Sequence, residues 1–241
     1  KLLLDLECQA EGEAVIRARF PGHAILGEED PGGGAAPVPD AVCQWIIDPI
    51  DGTVNFSHGL PLWCCSVAVR RRGRTLAGAV YAPALGELYT ASARDGARLN
   101  GKRIRVSRVR RLDGAVILTG LDKHAATGVR PFSIFEALST RVQKTRIMGS
   151  AALDLCQVAC GRADGYFESG IFIWDVAAAG LIVRQAGGRA DILRPRENNR
   201  LSFVASNGLI HAPLKKLVAT TPNWRCPPPR LPRPGRRPSR S

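Results

Sequence analysis

The sequence predicts an α+β fold: an antiparallel sheet with a helix comes first, and a half that mixes helices with strands follows. Three observations carry this expectation. Short apolar runs separated by tight-turn residues fill residues 44–101, apolar residues recur at helical spacing in segments on either side, and the texture turns helix-rich beyond Leu112. A chain of 241 residues with 45% apolar side chains can also bury a substantial core.

Each element follows from local chemistry. Asp5 to Phe20 reads as a helix, because Leu6, Ala10, Ala14, Val15 and Ala18 share a face before Pro21 and Gly22 stop it. A short strand, Ala24 to Leu26, delivers Gly27, Glu28, Glu29 and Asp30, and Pro31 to Pro39 forms a Gly- and Pro-rich exposed loop. Gln44 to Ile47 is an apolar strand ending at Asp48. Leu62 to Arg70 is a buried strand, joined through the basic turn Arg71 to Arg74 to its neighbour Leu76 to Tyr81. Glu87 to Ala91, the turn Arg94 to Gly96 and the Asn100-Gly101 turn extend the meander. Further on, Val116 to Thr119 and Gly165 to Glu168 read as strands, and Pro131 to Leu138 as a helix. Ser150 to Cys160 is a helix closed by Gly161, and Val176 to Ala186 is an Ala-rich helix ended by Gly187-Gly188. This organisation divides the chain into an N-terminal half (1–112), a C-terminal half (113–218) and a tail (219–241).

Three acidic sites stand at the ends of apolar elements. In Asp48-Pro49-Ile50-Asp51-Gly52-Thr53, two carboxylates three residues apart converge on one point, with Pro49 fixing the backbone and Gly52 permitting close approach to a ligand. Hard oxygen ligands suit magnesium and not zinc. If the chain turns helical there, the amides of Gly52 and Thr53 make an anion site. Asp, Pro and Gly are also common turn formers, so an ordinary turn explains the hexapeptide equally. The second site is Gly27-Glu28-Glu29-Asp30, which also reads as a solvated loop. The third is Trp174-Asp175, where Asp175 is a natural helix N-cap worth about 1 kcal/mol; one oxygen can cap while the other binds a metal.

Gly27-Glu28-Glu29, the run Trp45-Ile46-Ile47-Asp48-Pro49-Ile50-Asp51-Gly52-Thr53-Val54-Asn55-Phe56, and Trp174-Asp175-Val176-Ala177-Ala178 with Gly187-Gly188 together resemble the inositol monophosphatase family. Leu99-Asn100-Gly101, Gly149-Ser150-Ala151-Ala152, Asp164-Gly165-Tyr166-Phe167-Glu168 and Ser206-Asn207-Gly208 match as well, so the resemblance runs from about Asp5 to Leu217. It implies a layered α-β-α-β-α sandwich of the sugar-phosphatase type. It also implies magnesium-dependent, lithium-sensitive hydrolysis of a small phosphate monoester, first of all inositol 1-phosphate, by a homodimer. Glu28, Asp48, the Ile50 carbonyl, Asp51 and Asp175 are implied to hold two or three Mg2+ ions. Glu28 and Thr53 are implied to orient the attacking water, with Asp5 bonded to the Thr53 hydroxyl. Substrate contacts are implied for Asp51, Gly52, Thr53, Gly149, Ser150, Ala151, Glu168 and Asp175. Relatives of this fold hydrolyse histidinol phosphate, fructose 1,6-bisphosphate or adenosine bisphosphates, and a non-catalytic member binding RNA or protein is the alternative from another class. The family usually carries a helix-bearing segment before Asp5, so the chain is expected to be truncated at its start.

Charge and cysteine usage complete the reading. Of the net charge of +13, six arginines lie without any acid in the Pro-rich tail, which is expected to be disordered and to be the only route to nucleic acid. No run approaches the ~18–20 apolar residues of a membrane span, so a cytoplasmic protein with no membrane contact is expected. The seven cysteines include no C-x-x-C pair and are read as reduced thiols.

Overall fold

The computed structural model of the chain describes residues 3–30, 42–121, 132–195 and 198–221. Helix α1 (Leu3–Arg19) buries Asp5, Gln9 and Ile16 along one face, and the chain turns at Pro21-Gly22 into strand β1 (Ala24–Gly27). The loop expected at Pro31 to Pro39 lies outside the described residues, as does most of the 219–241 tail.

β1 runs parallel to β2 (Gln44–Asp51), which starts the predicted meander. β3 (Cys64–Arg71), β4 (Arg74–Ala82), β5 (Glu87–Ser92), β6 (Gly96–Leu99) and β7 (Lys102–Arg103) follow in order, each antiparallel to its predecessor. The second sheet has the order β11-β12-β10-β8-β9, built from β8 (Val116–Thr119), β9 (Lys144–Arg146), β10 (Gly165–Phe172), β11 (Arg189–Pro195) and β12 (Arg200–Ser206). β8 is parallel to both its neighbours, whereas β12 is antiparallel to β10 and β11.

Helices alternate with the sheets to give the layered α-β-α-β-α sandwich. α1 lies on one face of the first sheet, and α4 (Ala151–Ala159) and α5 (Ile173–Gln185) pack between the two sheets. α3 (Phe132–Ser139) and α6 (His211–Thr220) cover the outer face of the second sheet. Strand alternation sorts the contacts: in β10, Tyr166 joins the central core, while Phe167 joins Leu138 and Leu214 outside. α5 is Ala-rich because β4 approaches it closely: a Cβ at Gly78 would stand 2.8 Å from the Cα of Ala178.

Two boundaries differ from expectation at the acidic motifs. β2 runs on through Asp51 instead of ending at Asp48, with its pairing to β3 broken between those two aspartates. Pro49 has no N–H to give the ladder, so the strand bulges there and keeps its direction. α5 begins at Ile173, so Asp175 occupies its third position and is not the N-cap residue. α6 also carries the fold through Ala219 and Thr220, into the stretch expected to be tail. Six cysteines among the described residues are free thiols, and no described helix is long and apolar enough to cross a membrane.

Candidate metal and phosphate site

The broken ladder of β2 turns Asp48 and Asp51 toward the first turn of α5. Ligand oxygens of Asp48, Asp51 and Asp175 all lie within 4.8 Å of one another. The three are held in different ways. Asp51 is anchored at the N-terminus of α4: it accepts the amides of Ala151 (3.2 Å) and Ala152 (2.6 Å) and the Ser150 hydroxyl (2.7 Å), with the Cys64 thiol at 3.7 Å. A carboxylate from another element thus performs the cap that a Ser at this position usually supplies. Asp175 accepts the Phe172 amide at 2.8 Å through one oxygen, capping its own helix backwards and leaving the other oxygen for the cluster. Asp48 is 1% exposed, and neither of its oxygens meets an N–H or hydroxyl donor.

Electrostatics follow from this packing. Burial, and then the charge of Asp51, pushes Asp48 well above the usual carboxylate range; Asp175 rises for the same two reasons. Burial also raises Asp51, against the pull of its Ser150, Ala151 and Ala152 donors. Glu28 follows directly on β1, its amide donating to Ile47 at 3.1 Å, and burial with Glu29, Asp51 and Asp5 as neighbours pushes it up to about 7. Asp5, buried in the first turn of α1, is thereby brought to the same field. A buried carboxylate with no donor costs several kcal/mol unless a cation compensates it. The orphaned oxygens of Asp48, within an all-oxygen donor set, therefore fit a hard divalent cation.

The acidic turn is a built structure and not a solvated loop. Gln9 of α1 donates to Asp30 at 2.9 Å and accepts the buried Glu29 amide at 2.9 Å, while Asp30 also receives the Gly27 amide at 2.9 Å. On the other side, Gly52 turns the chain at φ +92° into the short helix α2 (Thr53–Ser57). A Cβ there would sit 3.0 Å from the Leu62 carbonyl and 3.2 Å from the Gly149 carbonyl, so only glycine fits. Asn55 locks the arrangement by donating to Leu62 (2.7 Å) and Met148 (2.8 Å). The Thr53 hydroxyl donates to the Ile50 carbonyl at 3.0 Å, three residues back in the same turn.

A cavity of about 310 Å3 opens beside the cluster, reached by Asp51, Asp175, Gly149, Ser150, Ala151 and Glu168. Glu168 accepts the phenol of Tyr166. Of the expected substrate contacts, the Ser150 hydroxyl and Ala151 amide are bonded to Asp51, while Gly149 is exposed. Asp154, Phe172 and Arg200 line the same cavity and escaped the sequence reading. Asp154 is 3% exposed and held well above its ordinary range by burial, then by Asp51 and Glu168. Arg200 lies 4.6 Å over the Phe172 ring, which in turn stacks on Trp174 at 4.7 Å. Only the period of α4, which puts Asp154 one turn beyond Ser150, could have flagged the first of these.

A buried oxygen cage between a bulged strand and two helix N-termini, inside an α-β-α-β-α sandwich, defines a candidate cation site next to an open cavity of small-molecule size. Comparison with known proteins gives that class its family. The sequence profile of the inositol monophosphatase family matches residues 4–223. An inositol-1-monophosphatase of Synechocystis is 40% identical over 229 residues, covering 91% of this chain and 79% of that protein. A Pasteurella multocida protein named Nus factor SuhB is 48% identical over 175 residues, 72% of this chain and 64% of its own length, so the chain spans under two thirds of that relative. The structure of inositol monophosphatase from Anabaena superposes with a TM-score of 0.84 at 35% identity, covering 91% of this chain and 87% of that one. The chain belongs to the inositol monophosphatase family, a magnesium-dependent phosphatase family.

Proposed function

We propose that this chain hydrolyses a small phosphate monoester with magnesium, and that inositol 1-phosphate is the substrate to test first. The observation that carries the reading is the convergence of Asp48, Asp51 and Asp175 within 4.8 Å, with Asp48 lacking any donor. Asp48, Asp51, Asp175, Glu28 and the Ile50 carbonyl would hold two or three Mg2+ ions. Magnesium supplies neutralisation of the phosphate charge and a lowered pKa for water.

The chain's own groups do the rest. Glu28, pushed up to about 7 by burial, would be kept ionised at neutral pH by a divalent neighbour and so would be available as the base that holds the attacking water. Thr53, tied to Ile50, orients the same water, and Asp5 stands behind Glu28. The first amides of α2, at Gly52 and Thr53, face the phosphate. Gly149, Ser150, Ala151 and Glu168 flank the alcohol, Ser150 and Ala151 acting mainly through Asp51.

The test is phosphate release from inositol 1-phosphate with and without magnesium, for the parent chain and Asp51→Asn. Release that requires magnesium and disappears in the variant is expected. Release without magnesium, or none from folded parent protein, sinks the reading. A second reading is favoured by the Nus factor name of several relatives, 44–48% identical: a family member acting by contact with RNA or protein. Salt-dependent RNA binding by protein that releases no phosphate would support it.

A further inference from the structure

A second and larger cavity, of about 620 Å3, lies on the far side of α5 from the acid cluster, between the first sheet, α5 and β11. Its floor is apolar, formed by Ile46, Val176, Leu181 and Phe203, and Leu76 (39% exposed) and Ile192 (50% exposed) leave apolar surface at its mouth. Three arginines stand around it: Arg70 at the end of β3, Arg74 at the start of β4, and Arg184 in the last turn of α5. No acidic side chain lines it among the described residues.

The guanidinium groups are not spent on carboxylates. Arg70 donates to the Gln44 side-chain amide at 2.8 Å, and Arg184 to the Ala190 carbonyl at 3.4 Å. Asp191 is the acid whose charge reaches Arg184, and it is already held by Lys215 at 2.8 Å and by His211 at 3.2 Å. Burial lowers both Arg70 and Arg184 from their ordinary value, with Asp191 offsetting part of the effect at Arg184. A half-open concavity within the ~300–1,000 Å3 of small-molecule sites points away from a flat protein interface, which needs about 800 Å2 per partner.

From this geometry we propose that the cavity binds a nucleoside polyphosphate: three guanidiniums match the many oxygens of a phosphate chain, and the apolar floor takes the base. The site does not depend on the phosphatase reading, since it uses none of the acid cluster.

The experiment is calorimetric titration of the full chain in EDTA, with ADP as the probe, because its terminal phosphate is an anhydride and not a monoester. Saturable binding is expected, with adenosine and inorganic pyrophosphate each at least about tenfold weaker. The double variant Arg70→Gln/Arg74→Gln should lose about tenfold or more in affinity, and so should Arg184→Gln, which lies on a separate element and guards against misfolding of the hairpin. Asp48→Asn should bind ADP like the parent. The proposal is overturned by absent binding to folded parent, by pyrophosphate binding as tightly as ADP, by unchanged affinity in the arginine variants, or by loss of binding in Asp48→Asn.

Discussion

Asp48→Asn should stabilise the protein when no divalent cation is present and destabilise it, relative to the parent, when magnesium is added. The side chain is 1% exposed, receives no donor, and has three other carboxyls around it. An uncompensated buried charge costs about 3–5 kcal/mol. Protonation recovers part of this at neutral pH, so we take roughly 2 kcal/mol as the gain on replacing the carboxylate by an isosteric neutral amide. For a chain of this size that is an increase in Tm of roughly 4–8 °C in EDTA. Magnesium at about a hundred times its Kd adds about 2.7 kcal/mol to the parent, and the variant, missing one ligand, keeps only a fraction of that. Thermal unfolding at pH 7.5 with EDTA or with excess magnesium reads both effects. A variant less stable than the parent in EDTA, or one with the parent's full response to magnesium, would refute the reasoning.

The acid cluster also sets a pH dependence. Folding raises Glu28 from 4.5 to about 7 and raises Asp48, Asp51 and Asp175, so these groups favour the folded state in their protonated form. The Glu28 contribution is present below pH 4.5 and is lost as pH climbs through about 7, and the three aspartates, raised from 3.8, act in the same direction; Tm in EDTA should fall as pH rises through the Glu28 interval and flatten once magnesium replaces the protons. Gln9→Ala strips the clamp from Glu29 and Asp30 and leaves a buried amide unbonded, costing about 1–3 kcal/mol and weakening magnesium binding; denaturant melts and magnesium titration together measure it. Gly78→Ala drives a methyl to 2.8 Å from the Ala178 backbone and should cost about 1–3 kcal/mol in urea unfolding, whereas Gly22→Ala, with nothing within 4 Å, should be close to neutral.

The sequence exposed the parts of the site whose chemistry is local. Asp48, Asp51 and Asp175 could be read because each stands beside an apolar run and next to Gly, Pro or Trp, and the family resemblance put them together. Their supports depend on long-range packing and left no local trace. Gln9 looks like any polar residue on a surface helix, yet it holds the Glu28 turn from 20 residues away. Ser150 looks like an N-cap, but Asp51, 99 residues distant, fills that role. The antiparallel meander was legible since its turns are Gly- and Asn-marked. β9, β11, β12 and α6 went unread. In β11 charged residues interrupt the pattern, and in β12 Leu201 and Phe203 face α5 while Val204 faces α6, a strand buried on both sides that shows no alternation. The tail boundary failed for a related reason: Leu214, Leu217 and Val218 of α6 are buried under the second sheet, and the Lys residues between them hid the periodicity.

The two aspartates of one motif should therefore respond in opposite ways to the same change. Asp51 sits among hydrogen-bond donors on a helix N-terminus, and its geometry is fixed before any cation arrives. An amide in its place sets an N–H against a donor and breaks the anchoring bonds, so Asp51→Asn should lose about 1–3 kcal/mol in EDTA. Asp48 accepts no N–H or hydroxyl and lies among other carboxyls, Glu28, Asp51 and Asp175, so a neutral amide removes the burial and like-charge penalty without breaking a bond of the kind that anchors Asp51. If stability comes from native hydrogen bonding and activity from the cation, the pair separates the two: both variants abolish phosphate release, while their Tm in EDTA moves down for Asp51→Asn and up for Asp48→Asn. Equal shifts of the same sign would mean that the acids are held by a common field and not by their separate anchors, and the division of labour argued from their hydrogen bonds would fail.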